Sequence, residues 1–147
     1  MSDGNQSFKE RIGTPSNTGE QLFRAYCDTQ GLNYYRFGFD EKHGFIERFY
    51  LLNPILRHVP DYVVHNPKTD KSATVEVKGT LNFKEYDREQ LTTYEANYGS
   101  PEVPYLYCFA IGKRIIWQTP KQVAEAYDWS TTIGTWTDGK RYRTLDI

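Results

Sequence analysis

Apolar residues recur along this chain at two spacings, and the switches between them mark out its elements. From Thr18, Leu22, Phe23, Tyr26 and Cys27 form one helical stripe, with Thr18-Gly19-Glu20-Gln21 at capping-box spacing and Gly31 as the stop. Asn33 to Phe39 reads as a strand and Asp40 to Gly44 as its turn. Phe45 to Leu56 fits two readings. Phe45, Phe49 and Leu52 suit a short helix ended by Asn53-Pro54, while the aromatic content also suits an extended piece. Tyr62-Val63-Val64 and Thr74-Val75-Glu76-Val77 read as strands, with the turn formers Asn66 to Asp70 between them.

Helical spacing returns from Asn82 to Tyr98, where Phe83, Tyr86, Gln90, Leu91 and Tyr94 recur. Tyr105 to Ile111 is an almost unbroken apolar run, the pattern of a strand buried on both faces. Gly112-Lys113-Arg114 turns the chain into Ile115 to Gln118. Thr119 then caps a helix with Pro120 at its first position and Val123, Ala124 and Tyr127 facing inward. Thr131 to Leu145 suggests a closing hairpin about Asp138-Gly139. This order predicts an α/β fold with a mixed central β-sheet flanked by helices. Residues 1–16 are read as a mobile polar lead-in and 17–147 as a single domain.

Composition narrows the partners. With 147 residues and a net charge of −1, the chain is not a wholesale basic nucleic-acid binder, so any such contact has to come from local patches. Basic residues do collect late, at Lys113, Arg114, Lys140, Arg141 and Arg143, where solvated turn charge is the default reading. No apolar run approaches a membrane span and no signal peptide opens the chain, so a cytoplasmic protein without a membrane partner is expected. Cys27 and Cys108 fall at apparent core positions, as reduced thiols or as a disulfide. His43, His58 and His65 lack the spacing of a zinc site. The aromatic share, 16% with 12 tyrosines, fits a small packed core as well as base stacking.

The candidate chemistry lies in the central hairpin. Folding it between Lys68 and Thr69 brings Asp61 opposite Glu76. Side chains alternate across a strand, so Glu76 and Lys78 share one face while Val75 and Val77 take the other. Two carboxylates and an ammonium then meet on a sheet otherwise built for burial. Carboxylates this close repel each other, and a hard divalent cation relieves the repulsion by taking oxygens from both.

Pro60-Asp61, fourteen residues, then Glu76-Val77-Lys78 resembles the PD-(D/E)xK nuclease superfamily, the fold of restriction endonucleases and archaeal Holliday-junction resolvases. The resemblance spans roughly residues 18 to 119. It implies a restriction-endonuclease-like core and Mg²⁺- or Mn²⁺-dependent hydrolysis of DNA, as in a phage or mobile-element nuclease or a repair enzyme. In that pattern Asp61, Glu76 and the carbonyl of Val77 hold the metal, and Lys78 orients water or stabilises the charged phosphate. Glu20 on the first helix is a further ligand by the same resemblance; its alternative is plain placement of a carboxylate at a helix N-terminus.

Gln90 and Tyr94, at i and i+4, are similar to the Gln-x-x-x-Tyr pair that follows Glu-x-Lys in the RecB-like branch, where it lies beside the active site. The alternative is a rim glutamine and a core tyrosine. Arg57 and His58 before Asp61, and Lys84 and Arg88 after Lys78, are placed to contact phosphate, with solvated surface charge as the alternative. Two other functions remain in view: a dimeric Holliday-junction resolvase, and a nuclease-fold module that binds nucleic acid without cutting it.

Overall fold

The computed structural model describes residues 18–37 and 58–147. The polar lead-in, the turn at Asp40–Gly44, the segment Phe45–Leu56 and Arg57 lie outside the described residues. The elements are α1 (Thr18–Gln30), β1 (Asn33–Arg36), β2 (Tyr62–Asn66), β3 (Lys71–Lys78), β4 (Asn82–Lys84), α2 (Glu85–Tyr98), β5 (Tyr105–Ile111), β6 (Arg114–Gln118), α3 (Pro120–Trp129), β7 (Ile133–Thr135) and β8 (Arg141–Thr144).

The fold is α/β, as the patterning predicts: a mixed five-stranded sheet in the order β1-β2-β3-β5-β6, flanked by the three helices. Its one parallel pair is β3 with β5; the other neighbours run antiparallel. A parallel neighbour needs a crossover, and β4 with α2 supplies it. Because β5 lies between two strands and under helices, its run from Tyr105 to Ala110 is buried almost throughout.

Each face of the sheet has its own core. Against α1 pack Phe23, Cys27, Tyr62, Val64, Val75, Val77, Cys108 and Ala110. Against α2 and α3 pack Phe83, Leu91, Tyr94, Tyr105, Tyr107, Phe109, Val123, Ala126 and Tyr127. Local signals set the element ends. Gly31 leaves α1 at φ +70, a conformation that suits glycine. At α3, Thr119 and Gln122 form a full capping box ahead of Pro120.

The structure corrects the expected long helix from Asn82. Asn82–Lys84 is a strand, and α2 starts at Glu85. The override is tertiary: β4 pairs antiparallel with β8, which pairs in turn with β7, making a second, three-stranded sheet. Phe83 points from β4 into the core against Tyr107 and Tyr127. The closing hairpin forms about Asp138-Gly139 as expected, with Gly139 at φ +85. The first strand ends at Arg36 rather than running on through Phe37, whose N–H bonds to the Asp61 carbonyl at 2.8 Å.

Cys27 and Cys108 are both free thiols, buried in the α1-side core. Burial pushes each up to about 12. At pH 8 the thiolate fraction is therefore on the order of one in ten thousand. Neither cysteine should react with Ellman's reagent at pH 8 in the folded protein, and both should react once it is unfolded in guanidinium. Rapid native-state labelling would show that the α1-side core opens.

Candidate active site

The hairpin register sets the site. Tyr62 pairs with Val75, so one step further Asp61 stands opposite Glu76, and two steps further Pro60 stands opposite Val77. Pro60 is buried and has no N–H, so it cannot continue the ladder toward the Val77 carbonyl. The Asp61 side chain meets the other backbone group of that residue: its Oδ2 accepts the Val77 N–H at 2.9 Å. That bond ends the β2–β3 pairing and fixes the carboxylate at the sheet's end. Within a strand a residue's N–H and C=O leave by the same edge, so the Val77 carbonyl is directed to the Asp61 side of β3.

Glu76 and Lys78 project from the face opposite Val75 and Val77, in the parallel register of Tyr107 and Phe109. Lys78 Nζ stands 3.6 Å from Glu76 Oε2 and 5.8 Å above the Phe83 ring. The second oxygen, Glu76 Oε1, is buried and has no hydrogen-bond donor among the described residues. Burial raises the Glu76 carboxyl well above the usual range, and the Asp61 charge raises it further. The two carboxyl groups are close enough to share a hydrogen bond when Glu76 is protonated. Burial alone would pull Lys78 down, yet Glu76, Asp87 and Asp61 hold it above the ordinary lysine value. Lys78 is thus a cation at neutral pH, suited to stabilising negative charge and not to removing a proton.

Glu20 reaches the site through intermediaries. Its Oε1 accepts the Tyr62 hydroxyl at 2.8 Å and pairs with the Arg36 guanidinium, which stands 3.7 Å from Asp61 Oδ1. Arg24 donates to the same Tyr62 oxygen at 2.8 Å. Burial, then the Asp61 charge, raises the Glu20 carboxyl against the pull of Arg36 and Tyr62. Sequence reasoning passed over Arg36, the cation that lies between the two acids.

The second omission is Asp87. It is buried on α2, accepts the Tyr94 hydroxyl at 2.9 Å, and its charge is felt by both Glu76 and Lys78. Its spacing to Gln90 and Tyr94, i to i+3 and i+7, puts all three on one helical face, the signal that could have found it. Tyr94 is a core tyrosine stacked on His58 at 5.3 Å, and Gln90 is half-buried beside them in sequence. Arg88 turns away: it forks onto Asp128 at 2.8 and 3.0 Å and ties α2 to α3. Lys84 is exposed, with its ammonium 6.0 Å above the Trp136 ring.

Among the described residues, no three His, Cys, Asp or Glu side chains gather into a metal-ligand set. A magnesium ion asks for less, since it keeps several waters and binds through one or two carboxylates plus substrate phosphate. The converging Asp61 and Glu76, with an orphaned Glu76 oxygen, fit that demand. No helix among the described residues is long and apolar enough to cross a membrane. No family model, curated protein or solved structure matches the chain.

A carboxyl raised on folding stabilises the protein at low pH, and that contribution is lost as pH rises from the unfolded value of 4.5 through the folded one. Thermal melts without metal should therefore show Glu76→Gln gaining stability over the parent above pH 7, by about 1–3 kcal/mol. At pH 4 the difference should vanish. A Glu76→Gln protein less stable than the parent at pH 8 would contradict the repulsion described for this pair.

Proposed function

We propose that the chain is a Mg²⁺- or Mn²⁺-dependent deoxyribonuclease with a restriction-endonuclease-like core. The observation that carries this reading is the convergence of Asp61 and Glu76, one held by a backbone N–H and the other with a buried, donor-less oxygen, beside a charged Lys78. Asp61, Glu76 and the Val77 carbonyl would hold the cation. When bound, it supplies Lewis-acid charge and makes water a nucleophile near neutral pH.

The protein's own work is positioning. The Val77 N–H holds Asp61 in place before substrate arrives, so little reorganisation is needed at the moment of reaction. Lys78, paired with Glu76 and held charged by Asp87 as well, presents a point charge to the phosphate as negative charge accumulates there. Asp87 is a positioning residue: it keeps that ammonium charged and anchors Tyr94. Tyr105 and Tyr107, buried and packed edge to face beside Glu76, keep water from its inner side.

A second reading, a nuclease-fold module that binds nucleic acid without cutting it, is favoured by Arg36. Its guanidinium already neutralises Glu20 and faces Asp61, as an internal substitute for a metal.

Incubating circular and linear, single- and double-stranded DNA with the protein in Mg²⁺ or in EDTA separates the two. Cleavage should require Mg²⁺ and fall at least a hundredfold in Glu76→Ala and in Lys78→Ala, with both variants still folded by circular dichroism. Undiminished Mg²⁺-dependent cutting by the double variant would remove these residues from the chemistry. Absence of cutting, with no heat of Mg²⁺ binding in calorimetry, would favour the module.

A further inference from the structure

We propose that the outer face of the small sheet, built on Trp136, Tyr142 and Lys84, seats an unpaired stretch of single-stranded DNA beside the candidate active site. The inference rests on the nuclease reading for its ligand and adds the strandedness of that ligand and the surface that grips it.

The two faces of this sheet serve different ends. The inner face carries Phe83, which enters the main core, and Arg143, whose guanidinium lies 4.9 Å over Tyr127 and bonds its carbonyl. The outer face carries Lys84 and Tyr142, which are cross-strand partners, and then Gly134 in the next strand. Trp136 follows just past β7 and packs against Tyr142, with ring centroids 4.3 Å apart and the planes tilted by 38°. Among the described residues, neither ring belongs to either hydrophobic core, and both are half-buried.

Gly134 shows that the arrangement is specific. A Cβ at that position would run into the Tyr142 ring, so the ring lies across bare backbone. Glycine weakens a strand interior, and here it is what lets the aromatic surface lie flat.

Charge makes the surface complementary to a nucleic-acid backbone. Lys84 is held below the ordinary lysine value by partial burial and by the nearby Lys78 and Lys140, against the opposing pull of Asp87 and Asp138. Lys84 itself sits 6.0 Å above the Trp136 ring, at the limit of cation–π reach, and remains open to a phosphate. Phe83, the residue before it, takes the opposite face of β4 beneath Lys78, so Lys84 is the cation on the ledge itself. Aromatic rings beside a basic track suit unstacked bases, whereas a duplex keeps its bases turned inward. The commitment to DNA follows the nuclease reading.

The test is fluorescence anisotropy in EDTA, where cutting is absent, using the full chain and a labelled oligo-dT of about twelve nucleotides. A duplex of the same length and an oligo-U serve as comparisons. Trp136→Ala should weaken oligo-dT binding on the order of tenfold, Trp136→Phe should restore most of it, and duplex binding should not change. Lys84→Gln should weaken binding and lower the salt slope by about one. Unchanged oligo-dT affinity in a folded Trp136→Ala protein overturns the proposal, as does tighter binding of the duplex or of oligo-U. If Trp136→Ala does not fold, Lys84→Gln decides, and an unchanged affinity and salt slope overturns the proposal. Adding Mg²⁺ to the same samples separates the two readings. Trp136-dependent binding without cutting sinks the nuclease and leaves the ledge, while cutting with Trp136-independent binding does the reverse.

Discussion

One hydrogen bond, from the Val77 N–H to Asp61 Oδ2, organises the molecule. The β2–β3 ladder has to stop somewhere, and it stops at a proline that has no proton to offer. A backbone donor left without a partner at a partly buried sheet end would cost free energy, and a carboxylate satisfies it with a charge-assisted bond. The same bond fixes where Asp61 points, and so how near it comes to Glu76. Structural closure of the sheet and placement of the acid are therefore one event. Proline offers the Val77 carbonyl no donor and aspartate satisfies the Val77 N–H, so the two neighbours act on different groups of the same strand end.

Around that point the charges form two tiers. On the α1 side, Arg36 balances Glu20 and reaches toward Asp61; on the α2 side, Lys78 balances Glu76 and feels Asp87. The charges of Asp61 and Glu76 meet beside the packed rings of Tyr105, Tyr107 and Phe109.

Much of this was legible in the sequence because it was local. The turn between Asn66 and Asp70 dictates the register, and the register dictates that Asp61 faces Glu76. The run Tyr105–Ile111 and the Thr119 cap were equally plain. What escaped was set by distant parts of the chain. Asn82-Phe83-Lys84 sits where helical spacing already holds, and only pairing with Arg141–Thr144 makes it extended. Arg36 lies at the end of a short strand, and nothing in its neighbourhood signals that Glu20 and Asp61 will close on it from two other elements. Arg88, placed on the same helix as the site, spends its guanidinium on Asp128 forty residues away.

The pairing of β4 with β8 has a consequence for synthesis. Asp61, Glu76 and Lys78 leave the ribosome early, but the segment that follows them is completed only by residues near Leu145, whose N–H bonds to the Leu81 carbonyl at 2.8 Å. Until those last residues emerge, β4 has no neighbour to hold it extended and Phe83 has no fixed seat beneath Lys78. The acidic pair is thus translated well before its surroundings are assembled, and a nascent chain carries the charged residues of the site without their working arrangement.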